Sequence, residues 1–570
     1  MSLERAFQAE LSYLREAGRS FAERHPALAG MLSERGADPD VERLLQGFAF
    51  VSARLRRRID DAAPELGDAL AEWLLPHAVR PQPAATLVEF QPRGLRAPIT
   101  IPQGARLHSR GSARCTFTTS APLTLVPLRL LRTELHDTAL ARPELRLHLE
   151  LEAGAQPSCL QGVPVRVQLH GEPSISAQLF LWLARHLDAV QVLAPDGTKH
   201  ELGARSVVVP GLTSRDSLYP WPASAPHSAR VLLESFALPA KFQRFELHDL
   251  SRAVALAGPS FTLVLRFRDP PPLAARPTER MFRLHCVPSV NLFPASAEPL
   301  RTDLSERPQL VRALGLDPSH AEVFSLDSVI GIARSGERRA YAPLHAFYDP
   351  AQSGGFYKLE RRLAEGDDST QSWLSLHRDP RAAWQRGEET LSIELTCSNR
   401  RLASALQPGD LCEPSTDVPA GVRFENIGTV SPPARPALGS ERIWQLLSHL
   451  ACSRRSLADV GVLRNVLALY ATDPHSDDPR ARVQRGRIDA IRSTRAETVT
   501  RVLGGIAARG SLYEVELDAR AFASEGDAFG FGAMLHALFA IDARINSFAD
   551  LRVTMLPSGR SFRYDAEWAR

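Results

Sequence analysis

Apolar positions recur at helical spacing through residues 1–80, and from about residue 86 the period changes to two. Residues 2–25 carry Phe7, Leu11, Leu14 and Phe21 on one face, which predicts a helix that Pro26 ends; a short helical turn, Leu28 to Leu32, follows. The most strongly written helix starts at Asp38. Asp38 suits the cap, Pro39 the first helical position, and Asp40 and Glu42 the acid-favouring first turn. Val41, Leu44, Leu45, Phe48, Val51, Leu55 and Ile59 then form one apolar stripe, expected to be core. A further helix from about Pro64 carries Leu66, Leu70, Trp73 and Leu74, and Pro76 stops it. Pro76 to Pro83 reads as an extended segment.

The two-residue period runs through LVEF, ITIP, LRLHLELE (145–152) and VPVRVQLH (163–170), and returns in FTLVLRF (261–267) and MFRLHCV (281–287). SISAQLFLWLARHL (174–187) reads as an inserted helix. Residues 288–430 continue β-rich, with strands near EVFSLDSV and LSIELTC. After SPPARPALG (431–439) helices return. Ile443, Leu446, Leu447 and Leu450 share a face of the first. Ser456 with Asp459 predicts a capping box for the second, through Leu463, Leu467 and Tyr470. Strand-like VLGGIAA and LYEVEL, a helix with Met534, Leu535, Leu538 and Phe539, and the strand LRVTML complete the chain. The expected fold class is α+β and multidomain: a helical N-terminal region (1–83), antiparallel β-rich middle domains (84–270 and 271–435) and a mixed α/β C-terminal domain (436–570). Three proline-rich runs, 76–83, 269–277 and 431–437, are candidate flexible joints.

The Asp38 helix has a second notable face. Phe50 lies opposite Val41, flanked by Gln46, Arg43, Arg54 and Arg57. An aromatic among arginines suits a protein partner, so Phe50, Arg43, Arg54 and Arg57 are the candidate partner interface; the bland alternative is a solvated face.

Composition narrows the classes. The 570 residues are 44% hydrophobic and 23% charged, an ordinary globular balance, and long enough for about three to four domains. The 68 basic and 65 acidic residues leave a net charge of +3, which argues against a dedicated nucleic-acid binder. Lysine occurs only at 199, 241 and 358, so nearly every cation is arginine. Six scattered cysteines without a CxxC pair support neither a zinc site nor a disulfide framework. MSLERAFQAEL lacks the apolar core of a signal peptide, and no run is long enough to span a bilayer, so a cytoplasmic location is expected, with membrane contact only through partners.

Candidate chemistry is sparse. There is no Gly-Lys for a phosphate loop, no HExxH and no GxSxG; Gly530-Phe-Gly532 is a fragment of a dinucleotide fingerprint. Gly354-Gly355-Phe356-Tyr357 is a flexible turn before it is an anion cradle. His285 beside Cys286 would point to opposite faces of a strand. Asp60-Asp61 and Asp367-Asp368 read as loop acids. No catalytic residue, metal ligand, cofactor or small-molecule substrate is assigned.

Collinear blocks carry a resemblance. YLREAGRSFAERHPALAGML, DPDVERLLQGFAFVSARLRRRIDD and LLPHAVRPQPA, then LLESFALPAKFQRFEL (232–247), CVPSVNLFPASAEPL (286–300), EVFSLDSVIG (322–331), LTCSNRRL (395–402), IWQLLSHLACSRRSL (443–457) and FGFGAMLHALFAIDARINSF (529–548) resemble the TssF (VasA, ImpG) family of type VI secretion baseplate proteins. The chain departs from the family at Ser235-Phe236, where Tyr-Phe is usual, and near Arg401, where an aspartate is usual. The resemblance implies a non-enzymatic wedge subunit. Two copies would join one TssG, with TssE and TssK, around a spike hub, and the wedges would template the tail tube and contractile sheath. It also implies a baseplate docked at the inner face of the inner-membrane complex. The competing class is an enzyme or carbohydrate-binding module built on the β-rich middle.

Overall fold

The computed structural model describes residues 7–8, 11–17, 40, 43–52, 71–72 and 445, together with two long stretches. These are 74–436 without 112–113, 139–140, 214–215, 222–226, 303–306, 345–354, 364–369 and 378–387, and 457–566 without 472–477, 504–505 and 541–546. The chain forms two compact units, Met1–Trp73 with Gly439–Trp444, and Leu74–Leu438 with Gln445–Arg570. Every described residue of the first unit is helical. The second unit is α+β, with antiparallel sheets through the middle and a mixed α/β C-terminal portion.

At its centre is a six-stranded antiparallel sheet in the order Leu411–Pro414, Arg106–Ser109, Thr116–Thr119, Cys286–Val290, Ala85–Gln91, Arg423–Asn426. Ala85–Gln91 pairs on both sides and is buried at its first six positions, as a central strand must be. This sheet joins strands from both expected middle domains, so the chain crosses position 270 inside one sheet. Residues 293–398 form a lobe inserted between its strands. There, Glu322–Ala333 and Glu389–Ser398 pair in one sheet and Phe356–Leu363 and Thr370–His377 in the other, around Val329, Leu374, Ile393 and Leu395.

The largest core lies elsewhere. Sheets built on Ala141–Leu151, Ser260–Phe267 and Val165–Leu169 pack with helices α1 (Pro173–Leu181), α2 (His227–Ala237) and α3 (Leu250–Ala257). The C-terminal helices α4 (Val460–Tyr470), α5 (Pro479–Asp489) and α6 (Glu525–Phe539) belong to the same unit, and α4 and α6 share that core. Helix α6 is the crossover between the parallel strands Ile506–Asp518 and Ala549–Leu556. Burial therefore runs across position 435 as it does across 270.

Local chemistry explains why α6 sits so close to α1. A Cβ at Gly526 would run into the Ala177 carbonyl, and the Gly526 N–H donates to Gln178 Oε1 at 2.8 Å. A Cβ at Gly532 would lie 2.5 Å from the Tyr564 hydroxyl, which donates to the Phe529 carbonyl. Two glycines of α6 are thus required by close approach. Gly530 has open space around it.

Three sequence expectations change. Asp459 itself caps α4, accepting from Val462 N at 2.9 Å; Ser456, like Ile443, Leu446, Leu447 and Leu450, lies outside the described residues. The apolar residues of VLGGIAA on either side of Gly504-Gly505 belong to the two strands of one long hairpin, Ile491–Leu503 with Ile506–Asp518, whose first strand carries too many charges to alternate cleanly; the two glycines lie outside the described residues. The three proline runs are pinned. Gln82 and Ala434 exchange backbone hydrogen bonds, Tyr219 donates to the Pro83 carbonyl, and Arg80 stacks on Phe324. Pro271 accepts from Trp182 Nε1 at 2.8 Å. The run 76–83 is also not extended throughout: Pro76–Val79 is a helical turn with Pro76 at its start, where a missing N–H costs nothing, and beyond it buried partners satisfy the carbonyls that a linker would leave to water.

Candidate partner interface

The described part of the Asp38 helix, residues 43–52, carries the candidate surface. Arg43 and Phe50, seven residues apart, fall on one side of the helix. Arg43 is exposed and lies 3.5 Å from Asp40, a surface pair of little energetic weight; Phe50 is 45% exposed. Arg54 and Arg57 lie outside the described residues.

The apolar stripe is where expectation and structure part. Leu44 is 74% exposed, and Phe48 and Val51 are each 62% exposed. Leu45 is half-buried and Ala49 is fully buried, so the helix rests on the side that these two define. Val41, Leu55 and Ile59 lie outside the described residues. Leu44, Phe48 and Val51 therefore form an outward ridge and not the core expected of them. A small residue such as Ala49 allows close backbone approach, whereas Leu44, Phe48 and Val51, spaced four and then three apart, have the geometry of a seam between helices.

The second unit contains polar chemistry that composition did not reveal. Glu234 on α2 accepts from Lys241 Nζ, from Leu218 N at 2.9 Å and from Ser217 Oγ at 3.0 Å; Lys241 also donates to the Asp216 carbonyl. Lys241 and Glu234 are 2% and 3% exposed. Burial pushes the Lys241 pKa down, and Glu234 opposes that. Arg244 donates to Asp216 at 2.7 Å, so loop 216–221 is held against α2 by a satisfied, buried network. The sequence signal lies in the block LLESFALPAKFQRFEL, which holds three of the network's members, Glu234, Lys241 and Arg244.

The remaining motifs resolve into structure. His285 is buried with φ of 56°, its Nε2 accepts from Val126 N at 3.2 Å, and burial brings its pKa down to about 4. Cys286 is buried and its thiol donates to the Leu284 carbonyl. Gly355, with φ of 112°, sits against the His377 carbonyl and the Tyr341 ring, which accounts for a glycine there; Gly354 lies outside the described residues, as do Asp60-Asp61 and Asp367-Asp368. Among the described residues no cluster of histidine, cysteine or acid is arranged to hold a metal. No helix among them is long and apolar enough to cross a membrane, which says nothing of strands.

The model of the family "Type VI secretion system, TssF" matches residues 1–568. The chain belongs to the TssF family. It is 29% identical to the type VI secretion system component TssF1 of Pseudomonas aeruginosa, over 98% of each chain. Among solved structures, it is similar to a chain of the type VI secretion TssK-TssF-TssG baseplate subcomplex, with a TM-score of 0.79 and 28% identity. That match covers 93% of this chain and 99% of the other. A chain of a type VI secretion baseplate complex matches with a TM-score of 0.60 and 26% identity, over 99% of each chain. The fold of this TssF-family chain is thus that of baseplate subunits along nearly its whole length.

Proposed function

We propose that this chain is a structural subunit of a type VI secretion baseplate wedge that works through its interfaces and not through catalysis. The observation that carries the reading is the similarity, at a TM-score of 0.79 over 93% of the chain, to a protein solved within a TssK-TssF-TssG subcomplex. Its partners are TssG-like and TssK-like subunits, a second copy of itself, TssE and the spike hub. The assembled wedges template the tail tube and sheath from the cytoplasmic side, docked at the inner-membrane complex.

The ridge of Leu44, Phe48 and Val51 supports this reading, because large apolar side chains at seam spacing are the material of helix–helix docking. Phe50 and Arg43 flank the ridge as an aromatic and basic rim, and Arg54 and Arg57 continue that basic pattern in the sequence. Co-expression with the TssG-like subunit of the same secretion system tests the reading: a soluble complex of two copies to one is expected. A chain that remains a stable monomer indifferent to that subunit overturns it.

A further inference from the structure

The C-terminal hairpin is longer than the sheet that holds it. Ile491–Leu503 and Ile506–Asp518 pair along their length, whereas the third strand, Ala549–Leu556, is in register only with Ser511–Asp518. The pairs from Val499 with Gly510 to Leu503 with Ile506 extend past it, and a hairpin without a third strand is marginal in water. Ile491–Leu503 is also a sheet edge, since no strand among the described residues pairs with its outer side. It is 13 residues long, against a mean strand of about 5–6, and contains no proline; its charged Arg492, Arg495, Glu497 and Arg501 discourage indiscriminate pairing along it. Its irregularity lies at the base, between Ile491 and Ser493, where Arg464 also donates to the Ile491 carbonyl at 2.6 Å. Beyond that, Arg495, Glu497, Thr498, Thr500 and Val502 are exposed, Val502 by 75%.

The charge at the base of this edge is predominantly basic. Helix α5 leads directly into the strand and is anchored by Arg480 to Thr429, Gln484 to the Phe236 carbonyl and Arg487 to Asp527. Its outward Arg482 and Arg485, and Arg495 on the strand, form no ion pair among the described residues, whereas Arg492 and Arg501 are matched by Asp518 and Asp550. From Pro479 to Glu497 the chain has six arginines and two acids, Asp489 and the exposed Glu497.

We propose that the outer edge of Ile491–Leu503 takes up an extended acidic segment of a partner protein subunit as an added strand, with Arg482, Arg485 and Arg495 facing its carboxylates. Main-chain hydrogen bonds supply the affinity of such an addition, and guanidinium–carboxylate pairs select the segment. Nucleic acid offers anions to the arginines but nothing that completes a strand edge. The inference rests on the assembly reading above, with the acidic segment belonging to a subunit of the same complex.

Amide hydrogen exchange tests it, on the full chain alone and co-purified with the TssG-like and TssK-like subunits. Among the amides of 495–502, the alternate ones that point away from Ile506–Asp518 are expected to exchange readily in the free chain and to gain at least tenfold protection in the complex. The triple variant Arg482→Glu, Arg485→Glu, Arg495→Glu should melt like the parent and lose that protection. A complex that forms with 495–502 unprotected overturns the strand addition and leaves the assembly reading standing. Protection that persists in the triple variant overturns the acidic assignment, and so does duplex DNA bound by the parent and not by the variant. Absence of any complex overturns both readings.

Discussion

Helix α6 and the helix through 43–52 both carry large apolar side chains at helical spacing, and the chain treats them oppositely. Phe529, Phe531, Met534, Leu535, Leu538 and Phe539 of α6 are buried within the chain. Leu44, Phe48 and Val51 of the N-terminal helix stay outside. The difference lies in what surrounds each stripe. Helix α6 has α1 against Gly526, Tyr564 against Gly532, and the Tyr513 ring stacked 4.0 Å from Phe539. The N-terminal helix buries Ala49, while Leu44, Phe48 and Val51 on its ridge are exposed. A stripe therefore states that a face is to be covered, and the covering surface can belong to the same chain or to another.

The largest effect is expected where the self-covered side depends on a buried charge. Lys241→Met leaves Glu234 without its cation beneath α2, and loss of one partner of a buried pair costs about 3–5 kcal/mol. Chemical denaturation followed by near-ultraviolet dichroism measures it; a loss under about 1 kcal/mol would mean that the network is wet in solution.

Gly526→Ala attacks the same side through sterics. The added methyl meets the Ala177 backbone, which cannot rotate away as a flexible side chain would, so about 1–3 kcal/mol is expected from forced separation of α1 and α6. An unchanged melting profile would show that the two helices do not touch there.

The ridge should answer in the opposite way. Leu44→Ala combined with Phe48→Ala is expected to change stability by no more than about 0.5 kcal/mol per site, and to weaken capture of the TssG-like subunit by about 2 kcal/mol or more. A variant that unfolds alone returns the ridge to the core. Phe50→Ala with Arg54→Glu, melting normally, separates rim from ridge: full partner binding would mark the basic face as solvated.

The smallest effect has the opposite sign. Gly530 meets no atom within 4 Å, so Gly530→Ala should stabilise α6 by about 0.4–1 kcal/mol, read as a small rise in melting temperature. Destabilisation would reveal a contact at that face.

Much of the fold is legible in periodicity. The strand runs at 145–152, 163–170 and 261–267 and the helix at 174–187 fall where alternation and helical spacing place them, because those elements bury one face locally. Helices α2, α3 and α5 are absent from the elements that periodicity predicts. LSRAVALA is short, and PRARVQRGRID has no apolar stripe; α5 is held by single polar anchors such as Gln484 to Phe236, which only the fold brings near. Of the candidate interface, the helix and its ridge were visible residue by residue, but the assignment of Leu44, Phe48 and Val51 to a core was not correct.

Sequence alone determined the family, through blocks spread along the whole chain, and the elements whose hydrophobic period is set by local geometry. Tertiary structure decided the rest. It joined Ala85–Gln91 to Cys286–Val290 and Arg423–Asn426 in one sheet, and pinned Gln82 to Ala434 in what composition presented as two free linkers. It placed Lys241 under α2, and left the N-terminal ridge outside. The physical reason is that periodicity reports the environment each residue needs, while the partner that supplies it is fixed only when distant segments compete for the same apolar area and the same unsatisfied backbone groups.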